Sequence, residues 1–184
     1  VTDAIRDIEL HSRIGDMLNC EGESLFNINF HMGSDYGDKS ATAKRYIENF
    51  SRLSENARKR ITIENDDKGK LFSVKDLYNL VYQQSGVSIV FDVHHHQFCD
   101  GGLLDKDAAK LAFSTWGNRI PKIHYSESRA EGNSIINGKI RPQAHSDYII
   151  SNIPNYDGLY DVMIEAKAKD LALIRYRNNL QLYQ

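Results

Sequence analysis

The feature that most constrains the fold is a repeated alternation of short apolar runs with helix-forming stretches. Five runs have the composition of β-strands, and they lie at Leu25 to Phe30, Arg60 to Ile63, Val87 to Asp92, Lys122 to Tyr125 and Tyr160 to Glu165. Strands that alternate with helices predict a parallel sheet, because each helix returns the chain to the start of the next strand. An open doubly wound sheet and a closed barrel both satisfy this order.

The segments between the runs carry signals for the ends of helices. Ser40 is a candidate N-cap for a helix that runs towards Arg52. Ser73 and Asp76 have the spacing of a capping box, and Gly86 is placed to end the helix that follows them.

Further helices are expected in the second half of the chain and at its beginning. Asp105 is a candidate N-cap for a helix that stops near Gly117, and Ala166 to Leu182 forms the last helix, with an apolar stripe of Leu171, Ile174 and Leu180. The chain opens on another apolar stripe, which predicts a helix entered part-way and an upstream portion that is absent: Ile5, Ile8, Ile14, Met17 and Leu18.

Each strand-like run ends in a residue type that binds metal ions. In chain order these residues are His31, Glu64, Asp92 with His95 three positions later, His124 and Glu165. Successive strand ends lie roughly 30 to 40 residues apart, about the length of one strand with its crossover helix. Because alternate side chains of a strand face opposite sides, these residues can share one face while the aliphatic residues take the other.

The convergence of these groups decides between the two architectures. A closed barrel gathers the ends of its strands at one mouth, where such barrels keep their active sites, whereas an open sheet spreads them along an edge. We therefore predict an α/β fold of the (β/α)₈ TIM type, with residues 1–184 as a single domain. A typical barrel has ~250 residues, so this chain is expected to supply only about the last five β/α units, an incomplete barrel.

Composition narrows the chemistry of the site. Imidazole with carboxylate suits Zn²⁺ or Mn²⁺, and Cys20 and Cys99 form no Cys-x-x-Cys pair, which argues against a structural zinc site. Two cysteines also favour a reducing interior compartment. The net charge of −2 shows no basic excess of the kind that DNA-binding domains usually carry, and no apolar run approaches the ~18 residues of a membrane span.

Other histidines leave alternatives open. We expect one or two ligands among His94, His95 and His96, with a solvated loop as the alternative. His145 is a candidate ligand, although the Ser146 and Asp147 that follow it could instead cap a helix.

Six stretches of the chain resemble the UV damage endonuclease family, in the order found in that family. They are F-H-M-G-S-D-Y-G-D-K, I-E-N-D-D, V-F-D-V-H-H-H, P-K-I-H-Y-S, R-P-Q-A-H-S-D-Y-I and D-V-M-I-E-A-K-A-K-D-L-A-L, and they extend over most of the chain from Asn27 onward. The resemblance implies a barrel similar to that of endonuclease IV type nucleases. It also implies incision of double-stranded damaged DNA immediately 5′ of a UV photoproduct or another lesion.

The resemblance also implies a cluster of up to three divalent ions, with Mn²⁺ favoured over Zn²⁺ or Mg²⁺. Glu64 would bridge two ions, one of them completed by Asp92, His124 and Glu165. His31 would serve the second ion, and His95 with His145 the third.

Two further residues, Gln143 and Lys122, affect this assignment of metal ligands. Endonuclease IV type relatives have an aspartate where this chain has Gln143, which predicts a weaker third site. Lys122 shares the face of His124 and would reach the cluster; we expect either a carboxylated lysine that acts as a ligand or an ordinary lysine in a salt bridge. The expected catalytic residues are Glu64, Lys122 and Glu165.

DNA contacts are expected from loops at the same mouth of the barrel. The candidates for phosphate are Lys39, Lys68 and Arg141, with Lys167 and Lys169 near the last strand, and the candidates for stacking on bases are Tyr36 and Tyr125. For each tyrosine, packing within the protein is the alternative.

Two other functions remain open at this stage. One is a divalent-metal sugar isomerase or epimerase, which also places Glu, Asp and His at the strand ends of a barrel. The other is an inactive fragment that requires its N-terminal strands from a missing segment or from self-association, because unpaired strand edges favour association. We expect no membrane partner, with a cytoplasmic, nucleoid-associated location in a prokaryote or a nuclear one in a eukaryote.

Overall fold

Five short strands form one parallel sheet in chain order. The computed structural model describes residues 1–20, 26–132 and 140–181. Its strands are β1 Ile28–His31, β2 Ile61–Glu64, β3 Ser88–Asp92, β4 Lys122–Tyr125 and β5 Asp161–Ile164. Each predicted run contains its strand or overlaps it closely, so the predicted parallel sheet is confirmed; Leu25 lies outside the described residues.

Helices occupy the segments between the strands. Their bounds are α1 Thr2–Met17, α2 Lys39–Phe50, α3 Glu55–Arg60, α4 Val74–Leu77, α5 Gln83–Ser85, α6 Val93–His96, α7 Asp105–Phe113, α8 Arg129–Gly132 and α9 Asp170–Gln181. A π-helical turn at Tyr78–Tyr82 joins α4 to α5, and a 3₁₀ turn at Ser114–Trp116 extends α7. Strand and helix therefore alternate as the sequence predicts.

The register of the strands sorts their side chains onto two faces. Apolar residues align with one another on one face, where Ile28 aligns with Ile61 and Phe91 with Ile123. Polar partners stand in the other set, where His31 aligns with Glu64 and Asp92 with His124. The apolar set lies in the main apolar cluster or packs against it, which leaves the polar set for the opposite face.

The continuous helical segment from α4 to α5 is capped at both ends, as the sequence predicts. The Ser73 hydroxyl accepts a hydrogen bond from the Asp76 N–H, and the Asp76 carboxylate accepts one from the Ser73 N–H, so the capping box is confirmed. Gly86 ends the helix with a φ of +70°, a conformation that glycine adopts without a Cβ penalty.

Two other predicted caps are wrong. The helix expected to start at Ser40 is capped by Asp38, whose carboxylate accepts a hydrogen bond from the Ala41 N–H at 2.9 Å. Asp105 is already inside α7, and its carboxylate accepts a hydrogen bond of 2.6 Å from the Tyr156 hydroxyl.

The apolar stripes predicted for the first and last helices are only partly buried. In α1, Ile5 and Ile8 pack against the core, but Met17 is 82% exposed. In α9, Leu171 and Ile174 are more than half exposed, and the buried face is made by Ala172 with Tyr176 beside it. That helix starts at Asp170 rather than at Ala166.

The sheet is open within the described residues, with β1 and β5 at its edges. The observed architecture is therefore five consecutive β/α units, in agreement with the predicted incomplete barrel. Among the described helices, none is both long enough and apolar enough to cross a bilayer.

Candidate metal centre

The carboxyl ends of the five strands bring the predicted ligand residues together on the polar face of the sheet. Glu64, at the end of β2, is 3% exposed and lies at the middle of the group. Its Oε1 atom is 3.3 Å from Nδ1 of His95 and 3.8 Å from Nε2 of His31. Its Oε2 atom is 3.1 Å from Nδ1 of His124.

Two overlapping groups of three side chains have the geometry to hold a metal ion. In each, the candidate ligand atoms all lie within 4.8 Å of one another. The first group is His31, Glu64 and His95, and the second is Glu64, Asp92 and His124. Glu64 belongs to both groups, as a carboxylate that bridges two ions would.

Glu165 and His145 extend the cluster towards β5. Glu165 follows the end of β5, and its Oε1 atom is 3.1 Å from His124 Nδ1 while its Oε2 atom is 3.6 Å from His145 Nδ1. Backbone hydrogen bonds fix the loop of His145: the Ser146 N–H donates to the Glu127 carbonyl, and the Lys167 N–H donates to the Ser146 carbonyl. His145 therefore lies at the cluster and not at a helix start.

Side chains that are not ligands hold the cluster from β1. The Asn29 side-chain amide donates a hydrogen bond to Glu64 Oε2, and its carbonyl oxygen accepts one from the Thr62 hydroxyl at 2.9 Å. These two bonds fix the orientation of the Glu64 carboxylate. Asn29 lies two positions before His31 in β1 and therefore shares its face of the strand, but nothing in the sequence indicates this role.

Asn65 and Asp66 are further residues of the site that the sequence did not single out. The Asn65 side-chain amide exchanges hydrogen bonds with the backbone of Asp92, and the backbone carbonyl oxygen of Asn65 lies 3.0 Å from His95 Nδ1. Asp66 Oδ1 lies 3.5 Å from His31 Nδ1. The only signal in the sequence was their position directly after Glu64 in I-E-N-D-D.

The cluster favours bound positive charge. Burial disfavours the ionised form of Glu64, but the His124 and His95 rings outweigh burial and lower its pKa. His95 is also buried, which disfavours its charged form, yet contact with Glu64 and Asp92 raises its pKa to about 9. Burial likewise opposes the charge of His124, while Glu165 and Glu64 raise its pKa to about 10.

The donor set fits a divalent cation. Burial raises the pKa of Asp92 to about 7, and its Oδ2 atom is buried with no hydrogen-bond partner among the described residues. An acidic oxygen without a donor is costly unless a cation is bound to it. Imidazole and carboxylate ligands suit Mn²⁺ or Zn²⁺, so the residues present fit a divalent ion of this kind without distinguishing between the two.

Comparison with known proteins identifies the family of the chain. The family profile described as UV-endonuclease UvdE matches residues 1–184 of the chain. The chain belongs to the UV damage endonuclease family.

Individual relatives agree with this assignment. A UV DNA damage endonuclease of Bacillus cereus (strain G9842) is 32% identical over 193 residues, which cover 97% of this chain and 56% of the relative. One from Bacillus anthracis (strain A0248) has the same identity and coverage. The crystal structure of SacUVDE, a TIM barrel, matches with a TM-score of 0.77 and 30% identity, over 97% of this chain and 58% of that one. This member of the UV damage endonuclease family thus spans somewhat more than half the length of the relatives it matches.

The three consecutive histidines of this family member are buried. His94, His95 and His96 lie in α6 with exposed fractions of 1%, 8% and 5%, so the alternative of a solvated loop is wrong. His96 Nε2 lies 3.2 Å from the Leu103 carbonyl, and the His94 ring packs edge-on against His145. His95 is the member of the triplet that belongs to one of the two candidate metal-binding groups.

Lys122 lies on the polar face in register with Asp161. Burial lowers the pKa of its ammonium group, while the charge of Asp161 acts in the opposite direction. Both predicted roles of Lys122 remain predictions.

The residues predicted to contact DNA fall into two groups. Lys68 and Arg141 are exposed in loops that follow β2 and β4, and Tyr36, in the loop after β1, is 83% exposed. Lys39 instead lies 2.7 Å from Asp76 Oδ2 in an ion pair. Tyr125 is 6% exposed within the apolar cluster; it faces the helices, opposite to His124, and the prediction that it stacks on bases is wrong.

A cleft of about 530 Å³ opens beside the metal-binding groups, on the β5 side. His124, His145 and Glu165 line one part of it, and Lys167 and Lys169 line another. Metal-ligand residues and two lysines therefore face one solvent-accessible space.

Proposed function

We propose that this chain carries the metal centre of a DNA repair endonuclease that hydrolyses the phosphodiester bond 5′ to UV photoproducts and other lesions. The observation that carries the proposal is the position of Glu64, shared by two groups of metal-ligand side chains at the carboxyl ends of parallel strands. Active sites of TIM-type barrels lie at that end. Membership of the UV damage endonuclease family gives the reaction class.

The metal ligands that we propose are His31, Glu64, Asp92, His95, His124, His145 and Glu165. Mn²⁺ is the proposed ion, with Zn²⁺ or Mg²⁺ as alternatives. The two groups around Glu64 support two ions. A third ion would be bound by His95 and His145. Gln143 lines the same cleft as His145 and offers an amide oxygen instead of a carboxylate.

Divalent ions supply the charge that makes a water molecule acidic near neutral pH and that neutralises phosphate oxygens during hydrolysis. The protein's own contribution is to hold its ligands in place: Asn29 orients Glu64, and Asn65 ties the end of β2 to Asp92. Glu165 contacts both His124 and His145 and also lines the cleft that contains Lys167 and Lys169, so it would hold an ion on the side of the cluster that faces this cleft.

Lys122 is the least determined of the proposed catalytic residues. A carboxylated lysine requires a neutral amine to react with carbon dioxide, and burial lowers the pKa of this amine. Its partner across the strand pair is an aspartate, which supports a salt-bridging lysine equally well.

Double-stranded damaged DNA is the proposed partner. Lys68, Arg141 and Tyr36 are exposed in loops at the same end of the sheet as the metal centre and are retained as DNA contacts. Lys39 is dropped from that set because Asp76 already neutralises its charge.

The test is an incision assay on an end-labelled duplex with one cyclobutane dimer, in Mn²⁺, beside an undamaged duplex. We expect one cut immediately 5′ of the dimer, lost in Glu64→Gln and retained in Glu55→Gln, an exposed carboxylate on α3. The assay is run with and without the part of a family member that precedes the matching region. A cut obtained only with that addition would support the reaction and show that the 184 residues need further strands. Failure to cut under both conditions would contradict the proposal.

A further inference from the structure

The residue two positions after the shared ligand Glu64 faces another ligand of the cluster. Asp66 Oδ1 lies 3.5 Å from Nδ1 of His31, and the other ring nitrogen of His31, Nε2, lies 3.8 Å from Glu64 Oε1. The His31 ring therefore stands between two carboxylates, with one nitrogen towards each. The Asp66 side chain is 7% exposed and that of His31 is 41% exposed.

The backbone of a loop after β2 holds Asp66 in this position. Its carboxylate Oδ2 accepts a hydrogen bond from the Phe72 N–H at 3.2 Å, and its own N–H donates to the Phe72 carbonyl at 2.9 Å. Phe72 is fully buried in the core. The carboxylate is thus fixed by the rigid part of the protein, whereas the His31 ring is half exposed and needs a partner to fix it.

A histidine that binds a metal through one ring nitrogen usually donates the N–H of the other to a carboxylate or carbonyl. That contact fixes the tautomer and the orientation of the ring. Asp66 has the required chemistry and lies on the side of the ring that faces away from Glu64.

We propose that Asp66 is a positioning residue of the metal centre, which keeps the proton of His31 on Nδ1 so that Nε2 binds the ion shared with Glu64. This inference rests on the metal centre of the proposed function and adds a residue that acts on it through His31. The neighbouring Asp67 has the same charge in the same loop and makes a matched control.

The test is a titration of the 184-residue chain with Mn²⁺, with free Mn²⁺ measured by electron paramagnetic resonance. Asp66→Asn keeps an oxygen that can accept the Phe72 N–H but removes the negative charge beside His31. We expect the affinity for one bound ion to fall about 10- to 100-fold, and Asp67→Asn to bind as the unaltered chain does. Unchanged affinity in Asp66→Asn, with a thermal unfolding curve that shows a folded protein, would overturn the inference.

A double-mutant cycle separates action through His31 from a general effect on the loop. Once His31 is replaced by alanine, adding Asp66→Asn should cause no further loss of Mn²⁺ affinity. If Mn²⁺ affinity instead falls again by as much as Asp66→Asn alone lowers it, Asp66 does not act through His31 and the inference is overturned.

Glu64→Gln in the same titration separates the role of Asp66 from the existence of the metal centre. If Glu64→Gln weakens Mn²⁺ binding and Asp66→Asn does not, only the role of Asp66 is wrong. If Glu64→Gln also leaves Mn²⁺ binding unchanged, the metal centre and the proposed function are both wrong.

Discussion

Glu64 Oε2 lies 3.1 Å from His124 Nδ1, although β3 separates the strands that carry the two residues. Neighbouring strands are about 4.8 Å apart, so the two backbones are about twice that distance from each other. Both side chains extend from the polar face of the sheet, and together they are long enough to meet over the intervening strand. Residues at the ends of strands that are not neighbours therefore contribute to one cluster.

Opposite the metal centre, at the start of β2, a close contact ties the first helix to the sheet. Arg60 is 4% exposed and donates hydrogen bonds to Asp16 Oδ1 and to the Cys20 carbonyl. Gly15 makes room for it: a Cβ there would lie 2.8 Å from Arg60 Nη1 and 2.8 Å from the Phe26 ring.

Gly15→Ala should therefore destabilise the protein, although alanine is the better helix former by roughly 1 kcal/mol. Overpacking costs about 1–3 kcal/mol, so we expect a net loss of about 1 kcal/mol in the free energy of unfolding, measured in urea. In an Arg60→Ala background the same substitution should cause a smaller loss, because only the close approach to Phe26 remains. A stabilising effect of Gly15→Ala in the unaltered chain would contradict this account of the contact.

The ion pair of Lys39 and Asp76 predicts a pH-dependent contribution to stability. Burial disfavours the charge of Asp76, but hydrogen bonds from Lys39 and Ser73 outweigh burial and lower its pKa. A carboxyl whose pKa is lower in the folded state stabilises the protein above its unfolded pKa of about 3.9. That contribution is lost as the pH falls through the folded value.

Lys39→Met should lower the free energy of unfolding by about 0.5–1 kcal/mol at pH 7, with the difference shrinking as the pH falls below about 4. Lys75→Met, an exposed lysine in α4, is the matched control and should have little effect at either pH. Urea unfolding curves from pH 7 downward provide the measurement. A loss for Lys39→Met that is equal at all pH values would argue against the ion pair as its cause.

The strand positions, and the candidate ligands that cluster at the strand ends, could be predicted because both depend on local pattern. Lys122 to Tyr125 alternates polar and apolar side chains, and β4 has those bounds. The start of α2 was missed because Asp38 and Ser40 are both good caps two residues apart, and only the observed bond to Ala41 separates them. The start of α9 was missed because Lys167 and Ala168 bond to Ser146 and Asp147, a tertiary contact that overrides helix propensity.

The residues that support the metal ligands could not be identified in the same way. Asp66 and Asp67 are identical in type and adjacent in sequence, and only the fold turns the first towards His31. Tyr125 shows the opposite case. Because side chains alternate along β4, Tyr125 is expected to face away from His124, on the side of the sheet that the core buries.

The exposed loop residues predict how DNA affinity depends on salt. Each phosphate contact contributes about one unit to the slope of log affinity against log salt concentration. Lys68→Met and Arg141→Met should each lower that slope by about one unit, whereas Lys44→Met, on the outer helix α2, and Lys39→Met should leave it unchanged. Fluorescence anisotropy with a dimer-containing duplex over a range of salt gives the slope. Equal effects of Lys44→Met and Lys68→Met would contradict a DNA site at the mouth.

Tyr36 makes a prediction of a different kind. Its ring is exposed, and the Arg45 guanidinium lies 5.6 Å from the ring centroid on one side. If it stacks on a base, Tyr36→Ala should weaken binding by about 1–3 kcal/mol without changing the salt slope, and Tyr36→Phe should bind as the unaltered chain does. Equal weakening in both variants would show that the ring is not the contacting group.

The central claim is that Glu64 is shared by two divalent ions at the mouth of the barrel. Anomalous diffraction from crystals of the chain grown in Mn²⁺ tests it most directly. The account predicts two peaks flanking the Glu64 carboxylate, one beside His31 and the other beside Asp92 and His124. Mn²⁺ peaks elsewhere, with none beside Glu64, would contradict it.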